Sequence, residues 1–148
     1  MENKDFRKIA HKILIENGFE RIKSRYYRNG EKFLCEIQLQ KSGYGPMFYV
    51  NFDFLLGEFE KPYVINRESA FTYTPFVGGR FYFGEKYGYA CEYPNWSEDQ
   101  LETAFLENME KAVLPPFKQG KQYLRDQFGA LYKATLNVKK SEELLFAD

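Results

Sequence analysis

The sequence predicts an α+β domain: a curved, mainly antiparallel sheet, with an N-terminal helix and C-terminal helices packed on one apolar face. Three observations predict it. Aromatic residues make up 19% of the chain, carried by 15 Phe and 12 Tyr, and aromatics favour strands and broad packed faces. Apolar and polar residues alternate through the block from Cys35 to Phe54, which is the period of a half-buried strand. Helical spacing of apolar residues falls near the two ends of the chain. A length of 148 residues suits one domain over 1–148, with a sheet core over about 19–93 and a helical portion over about 96–146.

The first helix is expected from Asp5 to Asn17, where Phe6, Ile9 and Ile13 recur at helical spacing with Ala10 and Leu14 beside them. Asn3 or Asp5 is placed to cap its start, and Gly18 to end it in the left-handed conformation. Phe19 to Arg28 reads as a strand, and Asn29-Gly30 as a two-residue hairpin turn. The next strand runs from about Lys32 to Lys41, Ser42 to Pro46 break it, and a third runs from Met47 to Leu56. Gly57 to Ala70 reads as a loop around Pro62, with a short element near Tyr63 to Ile65. Phe71 to Val77 and Arg80 to Phe83 read as a further hairpin turning at Gly78-Gly79, with Pro75 confining it to an edge or bulge. Tyr87 to Tyr93 reads as a short strand. Ser97 is the expected N-cap of a helix running to Leu114, with Glu98 and Asp99 in its first turn and Leu101, Phe105, Met109 and Val113 on one stripe. Pro115-Pro116 stops or kinks it. Phe117 to Tyr132 reads as another helix, and the tail from Thr135, carrying Leu144, Leu145 and Phe146, as a short docking helix.

Strand parity divides the central block into two faces. Cys35, Ile37, Leu39, Phe48, Val50, Phe52 and Phe54 form the apolar one. Glu36, Gln38 and Gln40 point away from it on one strand, and Tyr49, Asn51 and Asp53 on the other. The candidate ligand- or partner-binding residues on the polar face are Arg25, Gln38, Gln40, Lys41, Tyr49, Asn51 and Asp53. Arg25 joins them if the first strand turns Arg21, Lys23 and Arg25 to this side, with Ile22 and Tyr26 on the other.

Composition excludes several function classes. The 21 basic and 21 acidic residues cancel, so no global field draws the chain to nucleic acid or an anionic membrane. The basic run Arg21, Lys23, Arg25, Arg28, Lys32 and the acidic run Glu98, Asp99, Glu102, Glu107, Glu110 read as solvated faces. The N-terminus lacks the apolar stretch of a signal peptide, and no segment has the ~20 apolar residues that span a bilayer. A cytoplasmic protein is expected, in which Cys35 and Cys91 are core thiols. His11 is the only histidine, so metal sites of several His and Cys ligands within one chain are not expected. No cofactor is expected. Phosphate-loop patterns are missing, and Lys41-Ser42-Gly43-Tyr44-Gly45 leads into a strand rather than a helix N-terminus.

Two chemistries remain. Glu36 and Asp53 are a carboxylate pair on one sheet face, with Glu58 or Glu92 as further acids, and such pairs support acid–base work when their pKa values are driven apart. In that reading Glu36 or Asp53 is the base and Lys41 or Arg25 the electrostatic stabiliser, in a concave pocket with a carboxyl of raised pKa. Alternatively, Arg25, Tyr26, Tyr27, Arg28, Lys41 and Tyr49 could hold a single-stranded nucleic acid, against which the neutral charge and missing motifs count.

Gly18-Phe19, Arg25-Tyr26-Tyr27-Arg28, Ile37-Gln38-Leu39-Gln40-Lys41-Ser42 and Phe48-Tyr49-Val50-Asn51 give a pattern that resembles small bacterial proteins of the domain of unknown function 4304 family. Trp96 and the amphipathic helix ending in Val113-Leu114-Pro115 are similar too, so the likeness covers about residues 5–118 and is sharpest over 18–51. The Tyr63 to Glu92 region departs from the pattern, so Arg80 takes no role from it. The resemblance implies a bacterial α+β domain with no established activity, of a kind often found as immunity or accessory proteins beside secreted toxins. The leading expectation is a non-enzymatic protein- or peptide-binding domain. The alternative is a small metal-independent enzyme or small-ligand binder using the carboxylates of the polar face.

Overall fold

The computed structural model describes residues 1–67, 73–133 and 138–147. Its centre is an open six-stranded sheet, antiparallel throughout, whose strands follow one another in chain order. The strands are β1 (Glu20–Ile22), β2 (Arg25–Asn29), β3 (Phe33–Lys41), β4 (Phe48–Leu56), β5 (Phe76–Arg80) and β6 (Tyr132–Lys133). The helices are α1 (Asn3–Glu16), α2 (Glu98–Asn108), α3 (Pro115–Gln119), α4 (Lys121–Asp126) and α5 (Val138–Phe146). The expected α+β architecture is present. No helix among the described residues is long and apolar enough to cross a membrane.

The apolar face of the sheet holds the core. Phe33, Cys35, Ile37, Phe48, Val50, Phe52, Phe54 and Val77 are buried there against Phe6, Ala10, Ile13 and Leu14 of α1 and Leu101 and Phe105 of α2. Ring pairs hold the layers together: Phe6 stacks on Phe48 at 4.3 Å and Phe81 meets Phe105 edge-on at 4.8 Å. Truncating one such buried ring typically costs about 3–5 kcal/mol. Leu145 anchors α5 in the same core, so the expected docking helix is present, although Thr135 itself lies outside the described residues.

α1 ends as expected, with Gly18 at φ +85°. Its start differs: Glu2 is the N-cap, and Asp5 at the third helical position accepts from the Glu2 N–H at 2.9 Å. This reciprocal arrangement satisfies an N–H that capping by Asn3 or Asp5 would leave open. Ser97 caps α2 as expected, accepting from Gln100 N–H at 3.1 Å.

Several boundaries are corrected. The single strand expected over 19–28 is two strands, because Lys23 (φ +58°) turns the chain back so that Ile22 pairs with Arg25. Asn29 belongs to β2, and the tight turn centres on Glu31 and Lys32, with Lys32 at φ +64° and Gly30 N–H bonded to Phe33 carbonyl. Gly78-Gly79 is not a turn but the middle of β5. Phe71, at the start of that expected hairpin, lies outside the described residues. The expected strand over 87–93 reduces to one bridge between Cys91 and Phe48, and no regular element forms over 57–67. α2 widens into π-type turns over Met109–Val113 before Pro115 opens α3. The helix expected over 117–132 breaks at Gly120 (φ +70°), and Tyr132 belongs to β6.

Candidate functional site

The polar face is built by cross-strand register. Tyr27, Glu36, Asp53, Gly78 and Tyr132 form one row across five strands. Arg25, Gln38, Asn51 and Arg80 form the next row, and Gln40 faces Tyr49 beyond it. Six of the seven sequence-predicted site residues therefore share this face. Lys41 does not. It has the parity of Leu39, pairs with Phe48 and is exposed. Successive residues alternate faces, so Gln40 and Lys41 leave the strand on opposite sides of the sheet. Glu58 and Glu92 line none of the cavity described below.

Glu36 is buried, with 1% of its surface exposed. Arg25 Nη1 donates to its Oε1 at 2.7 Å, and Arg67 Nη2 donates to Oε2. Arg67 comes from the loop after β4, which folds back over the sheet and sets the Tyr63 ring against Tyr27 at 5.7 Å. Burial, and then hydrogen bonding to Glu36, push the Tyr27 hydroxyl above its usual pKa.

Asp53 lies opposite Glu36 but has a different environment. Burial raises its pKa to about 7, the Glu36 charge adds to the rise, and Arg25 and Arg67 offset some of it. Gly78 makes room for it: a Cβ there would lie 2.4 Å from Asp53 Oδ1 and 2.2 Å from the Phe52 carbonyl oxygen. The carboxyl thus lies over the β5 backbone, where any side chain would displace it.

Beside Asp53 an amide chain runs along the face. Asn51 Nδ2 donates to Gln40 Oε1 at 2.8 Å, with Gln38 Oε1 at 3.4 Å. Asn51 Oδ1 accepts from Arg80 Nε at 2.8 Å. The Arg80 guanidinium lies 4.6 Å over the Tyr49 ring. Gln38, Asn51, Asp53, Gly78 and Arg80 line an open cavity of about 790 Å³, with Tyr89 and Tyr132 at its sides. Chemically, the site combines an acid able to hold or give a proton near neutrality, an ion-paired carboxylate behind it, two amides and a cation.

Sequence reasoning missed Arg67, Gly78, Arg80 and Tyr132. The Phe76–Arg80 alternation would have placed Phe76, Gly78 and Arg80 on one face, had Gly78-Gly79 not been read as a turn. Nothing in the sequence ties Arg67 or Tyr132 to Glu36 and Asp53. His11 lies away from the site, its Nδ1 2.8 Å from the Tyr26 hydroxyl on the other side of the sheet.

Fold and site together define a small α+β domain with a carboxyl-bearing polar cavity on an open sheet. Residues 10–119 match the family model described as Domain of unknown function (DUF4304), and the chain belongs to that family. No curated protein and no solved structure matches the chain. The family match stops at Gln119, so Leu131 and Tyr132, which line the cavity, lie beyond it.

Proposed function

We propose that this protein is a non-enzymatic binding domain whose polar sheet face takes up a small polar ligand. The observation that carries this reading is the Asp53 carboxyl, titrating near 7 in a cavity of about 790 Å³ with Gln38 and Asn51 beside it. Ligand pockets have this size and this mix of apolar wall and a few convergent polar groups, and a carboxyl shifted by burial and a charged neighbour in a cleft is a functional-site candidate. A cytoplasmic setting fits the two free thiols, Cys35 and Cys91. The test is a screen of small polar molecules by protein-observed NMR. Binders that shift the amides of 51–53 and 78–80, and lose affinity in Gln38→Ala, support the reading. Binders that map elsewhere, or none at all, overturn it.

A second reading is recognition of a protein or peptide, including a bacterial toxin as the family resemblance suggests. Tyr89 and Tyr132, 55% and 61% exposed beside the cavity, favour it, since Tyr and Arg anchor many interfaces. Replacing Gln40, Asn51 and Arg80 together by Ala should then abolish capture of a partner that the wild type retains. An unchanged partner set would exclude it.

A further inference from the structure

Arg80 is held in a way that leaves its outer edge available. Its Nε–H is bonded to Asn51 Oδ1, and its Cζ lies over the Tyr49 ring, 4.6 Å from the ring centre. Asn51 is itself held by Gln40, so the guanidinium is fixed through a chain of neutral groups. Among the described residues no acid lies within ion-pair distance of it, whereas Arg25 and Arg67 both pair with Glu36. Arg80 lines the same cavity as Gln38, Asn51 and Asp53.

A guanidinium held through Nε and one face keeps its terminal nitrogens for a ligand. That fork matches the two oxygens of a carboxylate or phosphate, and a pre-set fork loses less freedom on binding than a flexible ammonium. We infer that Arg80 is the receptor for an oxyanion, a carboxylate or phosphate group carried by the small ligand of the sheet cavity. This rests on the reading of the polar face as a ligand site. The rest of the ligand extends along β4 towards Asp53. Asn51 and Asp53 are two residues apart, roughly 7 Å at the usual strand rise, which is the span of a small organic acid or phosphate ester. Asn51 serves as a positioning residue: its carbonyl orients Arg80 rather than touching the anion.

The test is an NMR titration of the full chain with sodium sulfate, a tetrahedral dianion, and separately with sodium benzoate, a carboxylate, at constant pH and ionic strength. A neutral probe, benzamide, is titrated in parallel. Saturable movement of the Arg80 Nε–H and the amides of 78–81 is expected with at least one anion. Sulfate alone indicates a phosphate-type ligand and benzoate alone a carboxylate. Arg80→Gln should weaken anion binding about tenfold or more, and Arg80→Lys, which keeps charge without the fork, by less. Arg80 is exposed, so both variants are expected to fold. If neither anion moves the Arg80 signals, or Arg80→Gln binds equally well, the inference fails. Benzamide shifts at Asn51 and Asp53 would then leave the cavity reading standing, and their absence would remove that reading too.

Discussion

Glu36 and Asp53 lie directly opposite each other on β3 and β4, two carboxyl groups in one antiparallel register pair. Like charges in that position repel and destabilise a sheet. The fold divides them by environment. Arg25 and Arg67 both reach Glu36, while burial and the Glu36 charge drive Asp53 towards its neutral form. One carboxyl is locked in an ion-pair cluster and its partner is a protonatable acid facing a cavity.

The pH dependence of stability follows from this division. The Asp53 pKa rises from 3.8 to about 7 on folding, so between those values the folded state binds the extra proton. The stability linked to it is fully present below about pH 4 and is lost as pH rises to about 7. The loss is on the order of 4 kcal/mol as an upper figure, at about 1.4 kcal/mol per pH unit. Asp53→Asn, which cannot ionise, should therefore raise the melting temperature at pH 8 and change it little at pH 4. Thermal melts of both proteins across pH 4–8 check this.

Removing the charge behind Asp53 should act in two ways. Glu36→Gln takes the anion from Arg25 and Arg67, whose side chains keep 28% and 39% of their surface exposed. Solvent therefore softens the loss, and destabilisation of roughly 1–3 kcal/mol is expected. The same change removes a cause of the raised Asp53 pKa, so that pKa should fall. Denaturant melts give the first effect and carboxyl NMR the second.

Gly78→Ala tests whether the missing side chain makes room for Asp53. The added methyl would meet the Phe52 carbonyl oxygen at 2.2 Å, a backbone atom that cannot swing away. Destabilisation of about 1–3 kcal/mol is expected, as for other overpacked sites. Gly43→Ala, with nothing within 4 Å of the new methyl, is the control and should be close to neutral.

Both thiols should resist modification in the folded protein. Cys35 and Cys91 are buried. Burial pushes Cys35 well above the usual thiol range and Cys91 up to about 12, and the thiolate is the reactive form. A thiol reagent should label neither cysteine at pH 8 in native buffer and both in denaturant.

The faces of β3 and β4 are legible because apolar and polar residues alternate from Cys35 to Gln40 on one strand and from Phe48 to Phe54 on the other, and that alternation alone puts Gln38, Asn51 and Asp53 on one face. Lys41 has the chemistry of a binding residue but the parity of the apolar face, and the parity decides its side. Gly78-Gly79 misled because paired glycines usually mark turns. Here Gly78 makes room for the Asp53 carboxyl, and a side chain at Gly79 would lie 2.8 Å from the Phe52 ring. Arg67, Arg80 and Tyr132 reach the site from distant segments, and their placement follows from tertiary pairing that no local pattern encodes. The C-terminal helices are likewise readable as helix, but the break between α3 and α4 at Gly120 is not, since a lone glycine is also tolerated inside a helix.

The most direct test is a pH titration of the Asp53 side-chain carboxyl carbon by NMR, in the wild type and in Glu36→Gln. A midpoint of about 7 in the wild type, moving down in the variant, is the predicted result. A midpoint near the ordinary aspartate value of about 4 would mean that the carboxyl is solvated and unstrained, and would contradict the account of the site.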